Sequence, residues 1–384
     1  MVTPGLIVIG SGPAGISAAE AFRNHDDVGS VRIFTEDPDP PYERPPLSKD
    51  YLRGETDDVT LHPPQWFYER SIEVVHGATL EQIDTDERRI FADGTSYPYA
   101  TLVLACGASP TPLHIPGGDR ALQLRSLADA RQLRQAGVQT SSAVVIGAGF
   151  IGCEAAASFA LQGMSVTLVA PDTVPQEKRL GTGAGERLLE LLKRSGVRYV
   201  GGITVNAIDE QGVVLDNGVT LDTDLVLAAT GVAPNSAAAQ AAGLTVEQSR
   251  IVVGADMSTS ADGVFAAGDV AAAFNATARR RLPVEHWQDA MDQGAVAGAS
   301  AAGQLAKWAG VPGFWTTIGE ATVKYHAWGD GYQSSRLLTR DDGFTVWYET
   351  DGAAVGVLTC NADDDYELGE TLIAGGRPAP IPLN

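Results

Sequence analysis

The sequence predicts an α/β protein built from two copies of one strand–turn–helix module and closed by a smaller C-terminal α+β domain. Three observations carry that prediction. A glycine-rich turn lies between a short apolar run and an alanine-rich stretch at residues 6–22, and the arrangement recurs at 143–156. A second pair of segments, each a turn dipeptide followed by an apolar run, also occurs once in each half. Beyond about residue 310 the pattern changes to alternating apolar and polar residues split by Asp-Gly turns.

The first module opens with Leu6-Ile7-Val8-Ile9, a short apolar run that reads as a buried strand. Gly10-Ser11-Gly12-Pro13-Ala14-Gly15 follows, and Ile16-Ser17-Ala18-Ala19 continues as a helix. This spacing suits a dinucleotide: Gly10 permits a tight turn, Gly12 lets backbone approach a pyrophosphate, and Gly15 lets helix and strand pack closely. The helix start, with Pro13 and Ala14, offers free N–H groups and the positive end of a dipole. A second strand, Val31-Arg32-Ile33-Phe34-Thr35, leads to Glu36, a carboxylate placed to accept hydrogen bonds from a ribose.

The second module is Ala143-Val144-Val145-Ile146, then Gly147-Ala148-Gly149-Phe150-Ile151-Gly152, then Cys153-Glu154. One module holds one pyrophosphate, so two modules imply two dinucleotides. The other duplication points the same way. Asp93-Gly94 precedes a strand at Leu102-Val103-Leu104 that runs into Cys106-Gly107 and Pro110. Asn217-Gly218 precedes Leu225-Val226-Leu227, which runs into Gly231 and Pro234 in the same register. A third strand, Val264-Phe265-Ala266, ends at Gly268-Asp269 before an alanine-rich stretch read as the start of a helix. There Asp269 either binds the hydroxyls of a sugar or ribitol, caps the helix, or does both.

Composition excludes several classes. Acidic residues outnumber basic ones to a net charge of −21, which disfavours nucleic acid as a partner. Only three Cys occur and no two form Cys-x-x-Cys, which argues against a disulfide scaffold or a zinc site. No apolar run is long enough to span a membrane, and Leu6–Ile9 is too short for a signal-peptide core, so a cytoplasmic protein is expected.

Together these residues resemble the FAD-dependent pyridine nucleotide oxidoreductases, whose fold pairs two Rossmann-like dinucleotide-binding domains (glutathione-reductase-like) with a C-terminal domain. Pro41-Tyr42-Glu43-Arg44-Pro45-Pro46-Leu47-Ser48-Lys49 narrows the likeness to ferredoxin reductases that serve Rieske oxygenases and P450s, the putidaredoxin reductase and biphenyl dioxygenase reductase type. Val284-Glu285-His286-Trp287 with Gln293-Gly294 is a second such element. The likeness covers residues 6 to about 303. It implies an FAD-binding domain at 1–112 and 236–310, an NAD(P)H-binding domain at 113–235 and an interface domain at 311–384.

The resemblance also implies roles. Lys49 lies at the flavin N5 edge and Glu154 pairs with it, the alternative being a surface salt bridge. Arg44 contacts pyrophosphate or adenosine, and Asp269 the ribitol. Glu285, His286 and Trp287 lie against the flavin pyrimidine end, although Trp287 also reads as core packing. Disulfide reductases of this architecture carry a Cys pair in the region of residues 42–49. This chain has none there, so electrons must leave the flavin directly, to a one-electron iron–sulfur protein or to dioxygen.

The nicotinamide partner is expected to be NADH, with NADPH possible. Ala170 stands where NADH-specific relatives are acidic, but Asp172 follows, near Lys178 and Arg179. Arg279-Arg280-Arg281 reads as a docking patch for an acidic ferredoxin or as a solvated loop. Rubredoxin reductase, NAD(P)H oxidase or diaphorase, and a redox sensor like apoptosis-inducing factor are the competing readings. Monomer and homodimer are both compatible. Residues 336–339, 345–348 and 354–359 read as strands, residues 365–374 as a closing helix, and residues 377–384 as a tail.

Overall fold

A computed structural model describes residues 4–381. The chain forms two compact units, each assembled from three separate stretches. The first comprises residues up to Glu43, Thr60–Ser109 and Ala233–Phe314. The second comprises Arg44–Val59, Pro110–Val232 and the residues from Trp315.

The first unit is centred on a parallel five-stranded sheet in the order Val264–Ala266, Thr101–Leu104, Leu6–Ile9, Val31–Thr35, Ile72–His76. The middle strand Leu6–Ile9 is buried along its whole length, as its unbroken apolar run demands. Helix Pro13–Arg23 packs against helix Trp287–Ala301. A Cβ on Gly298 would lie 2.0 Å from the carbonyl oxygen of Ala18, so this contact is backbone to backbone.

The Ala-rich stretch after Asp269 corrects one expectation. Gly268–Val270 forms a single 3-10 turn, and Ala271–Asn275 is then a strand, parallel to Arg250–Val253 and antiparallel to Arg280–Pro283. Its residues alternate between buried and partly buried, a period of two that small alanines conceal in the sequence. Asp269 therefore caps no long helix. Arg280 and Arg281 lie on a strand and not in a loop; with Arg279, which has φ +55°, they are all exposed.

The second unit holds a parallel sheet in the order Arg198–Gly201, Ser165–Ala170, Ser142–Ile146, Leu225–Ala228. From Trp315 on it also holds nearly all of a five-stranded sheet, where the expected strands appear as Ser334–Thr339, Phe344–Thr350 and Ala353–Cys360. Helix Asp363–Ala374 covers that sheet, with Gly369 set against Val357 and Trp347. Residues 377–381 are no loose tail. Ala354 N–H donates to Arg377 O at 2.8 Å, Arg336 Nη2 to Pro380 O at 2.6 Å, and Ala379 is buried. Residues 382–384 of that expected tail lie outside the described residues. Among the described residues, no helix is long and apolar enough to cross a membrane.

Candidate functional site

The two glycine turns have the same backbone geometry. Gly10 and Gly147 both sit at φ +107°, a region that excludes most side chains. A Cβ would lie 2.2 Å from Ala105 O at Gly10 and 2.3 Å from Ala229 O at Gly147. At Gly15 it would lie 1.9 Å from Gly10 O, and at Gly152 2.0 Å from Gly147 O. The protein's own packing thus demands glycine at the first and third positions of each motif.

The middle glycine of the second motif is different. A Cβ on Gly149 would meet nothing nearer than Gln176 Nε2 at 3.9 Å. No internal contact requires glycine there, and the space beside the backbone is open to a close-approaching ligand. No side chain caps helix Pro13–Arg23 at Gly12 or helix Phe150–Leu161 at Gly149, so no capping side chain occupies either helix start. Ala14 is buried, while Ile151 is 39% exposed beside its turn. The residues of these two turns fit the pyrophosphates of the two dinucleotides expected of them. Past the second strand of each module, Glu36 is exposed and Asp172 half-buried.

Each cradle has a strand-ending glycine, Gly107 at φ +63° and Gly231 at φ +100°. Beside the first, Asn235 Nδ2 donates to Cys106 O at 3.0 Å. Burial pushes the Cys106 thiol up to about 12 and raises those of Cys153 and Cys360 as well. All three thiols are free. At neutral pH they are protonated and poor nucleophiles.

Glu154 is the one acidic side chain in helix Phe150–Leu161, and it is 6% exposed. Lys49 Nζ lies 3.0 Å from its Oε2, and Ser48 Oγ donates to the same oxygen at 2.5 Å. Thr316 Oγ1 donates to Oε1 at 2.7 Å, and the Thr317 N–H lies 3.4 Å from it. A surface salt bridge is thereby excluded, since both side chains of the ion pair are largely shielded from solvent. Such a pair is tolerated because the carboxylate's remaining lone pairs find donors. Arg44 caps the 3-10 turn Pro45–Ser48 that delivers Lys49.

In the first unit, Gln293 Oε1 accepts from the Gly268 N–H at 2.9 Å and fixes the turn before Asp269. Arg250 joins the Asp269 carbonyl to the Glu285 carboxylate. His286 Nδ1 lies 3.1 Å from Asp289 Oδ2, which also accepts from the Gly313 N–H at 3.2 Å. Trp287 begins helix Trp287–Ala301 and is only partly buried, so it is not a core residue. Asp172 forms an ion pair with Lys178 at 3.4 Å, and the guanidinium of Arg179 lies 5.8 Å from the Phe150 ring.

Sequence reasoning misses Ser48 and Thr316 as partners of Glu154, and Arg250 as the link between Asp269 and Glu285. Ser48 stands in the Pro-Pro-Leu-Ser-Lys run beside Lys49, which is a usable signal. Nothing in the sequence announces Thr316 or Arg250, because their partners are far along the chain.

The chain is similar in sequence and fold to known proteins. The family described as pyridine nucleotide-disulphide oxidoreductase matches residues 4–294. A rhodocoxin reductase of Rhodococcus erythropolis is 31% identical over 97% of this chain and 90% of its own length. A ferredoxin–NAD(P)(+) reductase of a Sphingomonas species is 32% identical over 96% of this chain and 92% of its own. The reductase in a covalent putidaredoxin reductase–putidaredoxin complex superposes with a TM-score of 0.93 at 27% identity, covering 98% of this chain and 94% of that one. The chain belongs to the pyridine nucleotide-disulphide oxidoreductase family and is an FAD-dependent oxidoreductase that uses NAD(P)H.

Proposed function

We propose that the protein is an NAD(P)H:ferredoxin reductase that supplies electrons to a P450 or Rieske-type oxygenase. The observation that carries this is the near full-length likeness to proteins named as reductases of rhodocoxin and ferredoxin, in a chain whose three thiols include no Cys pair beside Lys49. FAD, when bound, would supply the exchange between two-electron hydride chemistry and one-electron transfer, which suits an iron–sulfur acceptor.

The chain's residues bind and orient. Gly10, Gly12, Pro13, Ala14 and Gly15 cradle the FAD pyrophosphate, with Glu36 on its ribose and Arg44 as a fork of donors. Cys106, Gly107, Gly268 and Asp269 line the remaining flavin side, and Glu285, His286 and Trp287 its pyrimidine end. Gly147, Gly149, Phe150, Ile151, Gly152 and Gly231 take the nicotinamide dinucleotide. Lys49, held by Glu154, presents a cation where negative charge develops on the reduced ring. Asp172 accepts from the ribose hydroxyls, which favours NADH over NADPH, and its ion pair with Lys178 supports that reading by occupying the nearest cation. The exposed Arg279, Arg280 and Arg281 attract an acidic ferredoxin and raise the encounter rate. A cytoplasmic site of action goes with this role.

The test is direct. The purified chain is expected to be yellow and to oxidise NADH faster with a [2Fe–2S] ferredoxin than with dioxygen or rubredoxin. Rapid turnover on dioxygen alone would make it an oxidase, and a colourless chain that FAD does not reconstitute would remove the reading altogether.

A further inference from the structure

Glu154 receives more than its cation. Its Oε2 takes Lys49 at 3.0 Å and Ser48 at 2.5 Å, while its Oε1 takes Thr316 at 2.7 Å. The carboxylate is thus gripped through both oxygens by hydroxyls from two distant stretches of chain. Thr316 is 1% exposed and lies in strand Gly313–Ile318. Ser158, on the same helix as Glu154, donates to the Ser48 carbonyl at 2.7 Å and ties the Lys49 turn to that helix. A carboxylate held only by a lysine can swing about its last torsion, and the lysine swings with it. Here that torsion is closed from the Oε1 side.

We infer that Thr316 is a positioning residue for Lys49: its hydroxyl locks the plane of the Glu154 carboxylate, so that the ammonium has one resting place. This rests on the reading that Lys49 serves the flavin. It assigns a role in the site to the segment after Phe314, which otherwise reads as a partner-facing cap.

The experiment compares Thr316→Val, Thr316→Ser, Lys49→Met and the double variant Lys49→Met/Thr316→Val as FAD-loaded protein. Thr316→Val keeps the shape of the side chain and removes only the donor. Because a hydrogen bond to a charged group is lost, flavin reduction by NADH should slow about tenfold at saturating NADH. The flavin midpoint potential should shift to more negative values as the cation loosens. Thr316→Ser should restore both. In the Lys49→Met background, Thr316→Val should do nothing further, since a residue acting only through Lys49 has no one left to act on.

Equal, additive losses in both backgrounds would overturn the inference in favour of a general structural role. So would an unchanged rate and potential in Thr316→Val when Lys49→Met lowers both. If Lys49→Met itself alters neither, the reading of Lys49 fails first. Should Thr316→Val not fold, Thr316→Ala in both backgrounds decides the same question, because it removes the same donor to Oε1.

Discussion

The backbone of Gly294 meets that of Ala14 so closely that a Cβ on Gly294 would lie 2.2 Å from the Ala14 carbonyl oxygen and 2.8 Å from its Cα. The obstacle is backbone, not the end of a flexible side chain, so it cannot turn aside. Gly294→Ala should destabilise the protein by about 3 kcal/mol, at the high end for overpacking. Gly183→Ala is the control. Gly183 is exposed in helix Thr182–Arg194 with nothing near its missing Cβ, and there alanine should stabilise by about 0.5–1 kcal/mol. Urea unfolding of both variants measures the contrast.

The thiols carry a pH dependence. Cys106 has its value raised by burial from 9.0 to about 12, so the folded state holds its proton at pH values where the unfolded chain gives it up. The associated stability is complete below pH 9 and is lost as the pH climbs from 9 towards 12, at a slope of up to about 1.4 kcal/mol per pH unit. Cys106→Ala should flatten the alkaline fall in stability. On the native protein at pH 8, iodoacetamide should label the fully buried Cys153 only after denaturation, as mass spectrometry would reveal.

Cofactor choice turns on Asp172. Its removal as Asp172→Ala should weaken NADH use and free Lys178, now 3.4 Å from it, for a 2′-phosphate. The ratio of kcat/KM for NADPH over NADH should rise at least about tenfold, the effect of one charge-assisted hydrogen bond. An unchanged ratio would show that recognition lies elsewhere.

Reversing the charge at Arg279, Arg280 and Arg281 to Glu should slow reduction of an acidic ferredoxin by about ten- to a hundredfold at low salt, with the gap closing as ionic strength rises. Flavin reduction by NADH, followed separately by stopped flow, should not change. Equal losses in both half-reactions would remove the docking role.

Local chemistry was legible in the sequence where one short stretch contains all the atoms that matter. The turns at Gly10 and Gly147 are such stretches, and the structure adds only that crowding explains the outer glycines. Lys49 and Glu154 are separated by more than a hundred positions, so their pairing came from resemblance and not from spacing. Thr316 and Arg250 are silent in the sequence for the same reason, with no motif to flag them. The strand Ala271–Asn275 is hidden in the sequence because alanine fits a period of two or of 3.6 alike, and parallel pairing with Arg250–Val253 makes it a strand.

Each unit is made of three pieces of chain, and this governs how the protein must be born. A ribosome that has released residue 232 has produced Thr101–Leu104 but not Val264–Ala266, the strand that pairs with it. At about 5–20 residues per second, that sheet edge waits several seconds for its neighbour. During that time it is a template for pairing with other chains. No single cut yields either unit as a continuous fragment, so expression trials on halves of the sequence should give aggregates, and slow synthesis or a chaperone that shields strand edges should raise the yield of the whole.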